Sequence, residues 1–239
     1  QLIKRILNDA VDNDIIIKNV AQNIKAPKII KTERLPLTLE EDKILLSSSS
    51  KYAPFFILMR YTGMRKEEIV PLTVDDIDFD TNTIYINKAV AFVKNQPVLK
   101  STKNKKTRYV PILDNIKDLL HTLVDNAGKN KLLFTKEKDN EMLTDVAIRR
   151  HLDSFLNSTN KKLKEDFEKE QENKKKQGIE LDEEETSPTL KFTCHRLRHS
   201  YCTMLYYAGV KIKKAQELMG HSSADMVYNI YTHLDEKRE

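Results

Sequence analysis

The chain has 239 residues, 39% hydrophobic and 32% charged, and its 41 Lys and Arg outnumber 36 Asp and Glu for a net charge of +5. That length supports one large domain or two small ones with a buried core, and the modest positive balance permits a nucleic-acid partner without requiring it. Two cysteines, Cys194 and Cys202, rule out a disulfide framework and fit a reducing compartment; no apolar run reaches membrane-spanning length and no charged-then-apolar signal opens the chain, so a cytoplasmic protein with no membrane contact is expected.

In chain order, Leu2, Ile3, Ile6, Leu7, Ala10 and Val11 fall at helical spacing and predict an amphipathic helix ending near Asn13-Asp14. Residues 15–31 are irregular, and Ala26-Pro27 breaks any helix. Residues 1–31 therefore read as the tail of one domain and a linker, and residues 32–239 as the main domain. The chain opens on Gln1 rather than methionine, as expected of a fragment. Thr38-Leu-Glu-Glu41 is a capping-box signature that predicts a helix to about Leu46. A second helix is predicted over residues 53–61, then the turn Thr62-Gly-Met-Arg65, then a helix over 66–72. Gly63 permits a tight backbone there, and Arg65 stands where free helix amides could complete an anion site, with Glu68 one turn on as its buttress. The alternative is an ordinary surface arginine at a helix cap.

From Asp78 the period changes. Phe79, Ile84, Ile86, Val90, Phe92, Val98 and Val110 alternate with the turn residues Asp80-Thr-Asn82 and Lys94-Asn-Gln96, which predicts an antiparallel sheet of about three strands. Between its last two strands, residues 99–108 form a hairpin tip bearing Lys100, Lys103, Lys105, Lys106 and Arg108. Such a tip either reaches a DNA backbone, places a lysine in an active site, or is a charged turn. Helices resume over 115–126 and 145–157. Residues 160–187 are dominated by charged and amide side chains and cannot bury a core stripe; they read as a solvated helix pair, a protruding insertion or a loop. Residues 161–186 hold seven lysines and ten acids, so the rest of the chain carries +8, a stronger electrostatic partner for DNA than the whole. The expected fold class is α+β, mainly helical with one small antiparallel sheet.

Near the C-terminus, His195, Arg196, Arg198 and His199 crowd into five consecutive residues. On a helix, His195 shares a face with Arg198 and His199. An arginine fork beside an imidazole suits an anion with several oxygens, phosphate above all, although a solvated basic helix end has the same composition. A helix over 201–208 follows with Gly209 as its cap, then one over 213–219, then Gly220-His-Ser-Ser223 and a last helix with Tyr228, Tyr231 and His233. Arginines, a lysine, histidines and a tyrosine make a phosphate-handling set without any cluster of carboxylates for a metal. Tyrosine supplies a nucleophile, arginines stabilise the pentacoordinate charge, and lysine or histidine moves the proton.

Four stretches, in order, resemble the tyrosine recombinases, the integrases of phages and conjugative transposons and their chromosome-resolving relatives. They are Thr62-Gly-Met-Arg-Lys-Glu-Glu68, Lys103 in the basic turn, Thr193-Cys-His-Arg-Leu-Arg-His-Ser200, and Met219-Gly-His-Ser-Ser223 with Ile230-Tyr-Thr-His-Leu234. The resemblance implies that Arg65 and Arg198 clamp the scissile phosphate, and that His195 and His221 bind it and assist proton transfer. Lys103 would protonate the departing 5′-hydroxyl, and Tyr231 would form a 3′-phosphotyrosyl intermediate, with no ATP, metal or other cofactor required. Glu68 and His199 would support the site, and Lys100, Lys105, Lys106 and Arg108 would contact DNA. Tyr228 is the rival nucleophile but lacks the Tyr-Thr-His context, and Arg196 is expected on the surface. Residues 1–31 would be the last helix and linker of the family's core-binding domain, and 160–187 an insertion. The implied partners are double-stranded DNA, three further copies in a tetramer on paired sites, and an accessory directionality factor, in a bacterial, nucleoid-associated setting. A type IB topoisomerase uses similar chemistry, and a non-catalytic DNA-binding regulator could keep the same fold; the Gly-His-Ser-Ser and Tyr-Thr-His motifs favour a recombinase for integration and excision.

Overall fold

The computed structural model describes residues 2–25, 35–100, 107–179, 186–220 and 225–236. The chain divides into two units, Gln1–Glu33 and Arg34–Glu239. In the first, helix α1 (Leu2–Asp12) stops where Asp14 takes a positive φ of 56°. Polar ties close the loop behind it: the Asn19 side-chain amide donates to the Lys4 carbonyl at 2.9 Å, and Lys4 Nζ donates to the Gln22 carbonyl at 2.8 Å.

The second unit begins with α2 (Leu39–Leu46), opened by the expected capping box. Thr38 Oγ1 accepts from the Glu41 N–H at 3.1 Å, and Glu41 returns an acceptor to the Thr38 N–H at 2.9 Å. Helix α3 (Ala53–Thr62) is buried over most of its length, as a helix apolar on all sides must be, and ends at Gly63 in the left-handed conformation. Helix α4 (Lys66–Ile69) is a single turn, shorter than the predicted 66–72. Strands β1 (Ile77–Asp78), β2 (Thr83–Ile86), β3 (Val90–Val93), β4 (Gln96–Leu99) and β5 (Arg108–Pro111) follow.

A three-stranded antiparallel sheet forms, as expected, but not from consecutive strands. One antiparallel sheet has the order β1-β2-β5, with Ile84 opposite Val110, and a separate β3-β4 hairpin pairs Val90 with Leu99. The hairpin turns at Lys94-Asn95, both at positive φ, the geometry that matches the twist of paired strands. Hence β4 and β5, the strands on either side of the basic segment, belong to different sheets and do not pair with each other; residues 101–106 lie outside the described residues.

Helices α5 (Asp114–Asp125), α6 (Asp145–Lys176), α7 (Cys194–Tyr207), α8 (Ile212–Met219) and α9 (Asp225–Glu236) complete the unit. The charged stretch beyond Asn157 continues α6 as one helix through Lys176. Asn160 fastens it where it leaves the core, exchanging side-chain hydrogen bonds with the Leu190 carbonyl and N–H at 3.0 and 2.8 Å. Two apolar clusters hold the unit together. The larger joins α3, β2, β5, α5 and the first half of α6 around Phe56, Phe155 and Phe192; the smaller joins α7, α8 and α9 around Tyr201, Met219 and Val227. Among the described residues no helix is long and apolar enough to cross a membrane.

Candidate active site

The end of α3 starts the site. Gly63 adopts φ 63°, and a Cβ there would lie 2.2 Å from Cδ1 of buried Tyr201, so only glycine lets α3 and α7 approach this closely. The chain then turns through Met64 to Arg65, the N-cap of α4. The Arg65 N–H donates to Glu68 Oε2 at 2.8 Å, so this amide is already satisfied, and α4 is too short to offer an anion site at its N-terminus. Positive charge comes instead from side chains.

Arg65, His195 and Arg198 line one cleft of about 330 Å³, together with Met59, Met64, Lys66, Glu67 and Cys194. Helix α7 brings His195 and Arg198 there because they lie three residues apart, and Thr193 caps the helix by accepting from the Arg196 N–H at 3.2 Å. Arg65 is 39% exposed in its side chain, and Arg198 is buried. Lys66, beside them, is paired with Asp145 at the start of α6 and lies 5.6 Å from the Phe92 ring. Among the described residues no three His, Cys, Asp or Glu side chains group as a metal site.

Three arginines are fastened by successive carbonyls at the end of α8. Arg108 Nε donates to Leu218 at 2.9 Å, Arg198 Nη2 donates to Met219, and Arg65 Nη1 donates to Gly220 at 3.1 Å. The last carbonyls of a helix lack intrahelical donors and sit at its negative end, so they suit cations. Arg198 Nη1 also donates to the Gly63 carbonyl, tying the ends of α3 and α8 together. Burial, then the like charge of Arg65, presses the Arg198 guanidinium down to about 9, leaving it protonated at neutral pH. Burial would raise the Glu68 carboxyl, but hydrogen bonds and charge from Arg108 and Arg65 outweigh it and hold that group below its ordinary value.

Arg108, expected at the solvent-facing tip, is buried instead. It is 8% exposed and grips Glu68 with both Nη atoms, at 2.9 and 2.8 Å. Strand alternation carries the signal for this: in β5, Arg108 shares the buried face with Val110, while Tyr109 and Pro111 face out. Lys100 is exposed next to β4. Lys103, Lys105, Lys106 and His221 lie outside the described residues. His199 is half-buried on α7.

Arg196 is likewise no loose surface residue. Nε donates to Leu35 O at 3.1 Å, Nη2 to Pro36 O at 3.0 Å and Glu41 Oε2 at 2.6 Å, and Nη1 to Glu41 Oε1 at 2.6 Å and to Lys191 O. These use all five guanidinium donors.

Tyr231 is not among the cleft's lining residues. Its hydroxyl donates to the Val210 carbonyl at 2.9 Å, its ring meets Tyr206 edge-on at 5.1 Å, and it is buried in the α7–α9 cluster. Burial, with the neighbouring Cys202 and Tyr201, pushes its phenol up to about 12. Tyr228 is exposed on the same helix.

A family model described as the phage integrase family matches residues 33–238. The chain is 26% identical over 256 residues to a protein named tyrosine recombinase XerC-like from Caldanaerobacter subterraneus, covering 99% of this chain and 61% of that protein. It is 26% identical over 232 residues to the transposase from transposon Tn916 of Enterococcus faecalis, covering 92% and 51%. The transposon Tn1549 integrase, solved in complex with transposon right end DNA, shares the fold at a TM-score of 0.69 and 20% identity, over 98% of this chain and 76% of that one. The chain spans about half to two thirds of the length of the curated relatives it matches, between 51% and 66%.

Proposed function

The chain belongs to the phage integrase family, the tyrosine recombinases, and from that premise we propose that it is the strand-transferring part of a site-specific recombinase acting on double-stranded DNA. The observation that carries the reading is the convergence of Arg65, His195 and Arg198 on one cleft. Two guanidiniums there offer forked donors to the non-bridging oxygens of a phosphodiester, and an imidazole stands beside them to move a proton. In the proposed reaction the Tyr231 oxygen attacks phosphorus and its proton passes to a histidine. The bond to the 5′-oxygen breaks, and Lys103 protonates that oxygen as it leaves. His221 shares the phosphate with the arginines. A 5′-hydroxyl later reverses these steps, so the phosphodiester's bond energy is conserved in the protein link.

Tyr231 has to leave Val210 before it attacks, and the proposed trigger is DNA binding with the assembly of four copies on paired sites. Two transposon proteins among the matches, the Tn916 transposase and the Tn1549 integrase, favour integration and excision in a bacterial cell as the biological role, with a directionality factor choosing between them.

A duplex nicked just beyond the scissile phosphate tests the reading, because loss of the short strand traps the covalent product. We expect a denaturant-resistant protein–DNA adduct that persists in EDTA, survives Tyr228→Phe and disappears in Tyr231→Phe. Absence of the adduct, or its survival in Tyr231→Phe, refutes the proposal; DNA binding without any adduct indicates a regulator with the same fold.

A further inference from the structure

Glu68 presents a conflict within the site. It positions Arg65 through the backbone N–H at 2.8 Å and through Nη1 at 3.3 Å, yet a buried carboxylate beside Arg65 also tends to cancel the charge a phosphate would need. Arg108 bears on both effects. Its two bonds to Glu68, at 2.9 and 2.8 Å, are shorter than the Arg65 Nη1 bond, and they form the parallel bidentate arrangement that is strongest for this pair. The Arg108 side chain is 7% exposed against 39% for Arg65, so its attraction to Glu68 is the less screened. With the Arg65 amide and Nη1, these bonds fill the four acceptor sites of the carboxylate.

Gly220 accommodates the arrangement. It adopts φ 63°, and a Cβ there would lie 2.4 Å from Arg108 Nη1, while its carbonyl receives Arg65. Arg108 therefore passes directly beneath the turn that holds Arg65.

We propose that Arg108 is a positioning residue for the phosphate clamp: it takes up the charge of Glu68, so that Glu68 fixes Arg65 in place without neutralising it. The inference rests on the strand-transfer reading and removes Arg108 from the DNA-contacting side chains. Arg65, Arg108 and Arg198 against Glu68 leave two positive charges in excess. Arg108→Met reduces that excess to one and frees Glu68 to close on Arg65. Adding Glu68→Gln restores the excess to two, although a further native contact is lost.

The test is the adduct rate on the nicked duplex at saturating DNA, with DNA affinity and thermal stability measured in parallel. For Arg108→Met we expect a rate loss of about tenfold or more, the scale of weakening one charged group that faces the transition state. Arg108→Met with Glu68→Gln is expected to recover several-fold over the single variant, which loss of packing alone cannot produce. Arg108→Lys keeps the charge without the fork and is expected between wild type and Arg108→Met; it serves if the methionine variant does not fold. A wild-type chain that forms no adduct removes the strand-transfer reading and the proposal with it. A wild-type adduct, with the double variant no faster than Arg108→Met or with Arg108→Lys as slow as Arg108→Met, overturns the proposal alone.

Discussion

At the scale of single residues, chemistry was easier to read than location. The types and spacing of Arg65, His195 and Arg198 announce an anion site, and these three share a cleft. The short spacing on α7 and the turn at Gly63 are local features that a sequence displays. Whether Arg108 faces DNA or a carboxylate depends on which strands pair, and a run of basic residues conceals that. Two residue-scale predictions follow from packing. A Cβ at Gly63 would meet Tyr201 at 2.2 Å in a backbone conformation that L residues avoid. Gly63→Ala should therefore destabilise the fold by about 2–4 kcal/mol, read from urea denaturation. The second concerns alkaline pH. Burial pushes the phenols of Tyr201 and Tyr231 up to about 12, from an ordinary value of 10.0. The folded chain thus keeps protons that the unfolded chain releases, so stability is fully present below pH 10 and falls as pH rises from there through about 12. Denaturation midpoints at pH 9, 10.5 and 11.5 should decline in that order, and Tyr231→Phe should flatten part of the decline.

At the scale of elements, helices were legible wherever an apolar stripe or a cap marked them, as with α2 behind Thr38. Two features were not. Strand partnership is non-local: the turn residues Lys94-Asn95 mark where β4 turns back on β3, but nothing in residues 90–111 shows that β5 pairs with β2. The outer half of α6 has no apolar stripe to reveal it; its sequence shows only pairs at helical spacing, such as Lys174 with Glu170 at 3.0 Å. Each such exposed pair is worth only about 0.3–0.5 kcal/mol, so amides in residues 164–176 should exchange with solvent far faster than those in 148–156. Arg196 makes the opposite case, an element-joining residue inside a catalytic-looking motif. Its saturated guanidinium binds residues 35–41 and Lys191 to the first turn of α7, next to His195. Arg196→Ala should cost about 1–3 kcal/mol, because it strands Glu41 and three carbonyls. Glu41→Ala in the same background should add only the loss of the Thr38 capping box, and a double-mutant cycle measures the Arg196–Glu41 coupling.

At the scale of the whole molecule, charge is segregated along the chain. Residues 161–186 carry −3 and the remainder +8, but the outer half of α6, residues 161–176, holds seven lysines and five acids. Helix α6 begins at Asp145, which is paired with Lys66 at the cleft, and runs without a break to Lys176. At a rise of 1.5 Å per residue, Glu172 lies roughly 40 Å along the helix from that pair, several screening lengths at physiological salt. Charges on the outer half of α6 therefore leave the clamp's field nearly untouched. DNA binding should follow the local charge. Each phosphate contact contributes a slope of about −0.9 to log affinity against log salt, so Arg65→Ala and Arg198→Ala should each make the slope shallower by about one. Changing Glu168, Glu170 and Glu172 together to glutamine adds three to the net charge and should leave the slope unchanged. Anisotropy titrations of a labelled duplex between 50 and 200 mM salt separate the two cases. If the glutamine variant steepened the slope as strongly as the arginine variants flattened it, net charge rather than the clamp would govern binding, and the outer half of α6 would have to lie along the DNA.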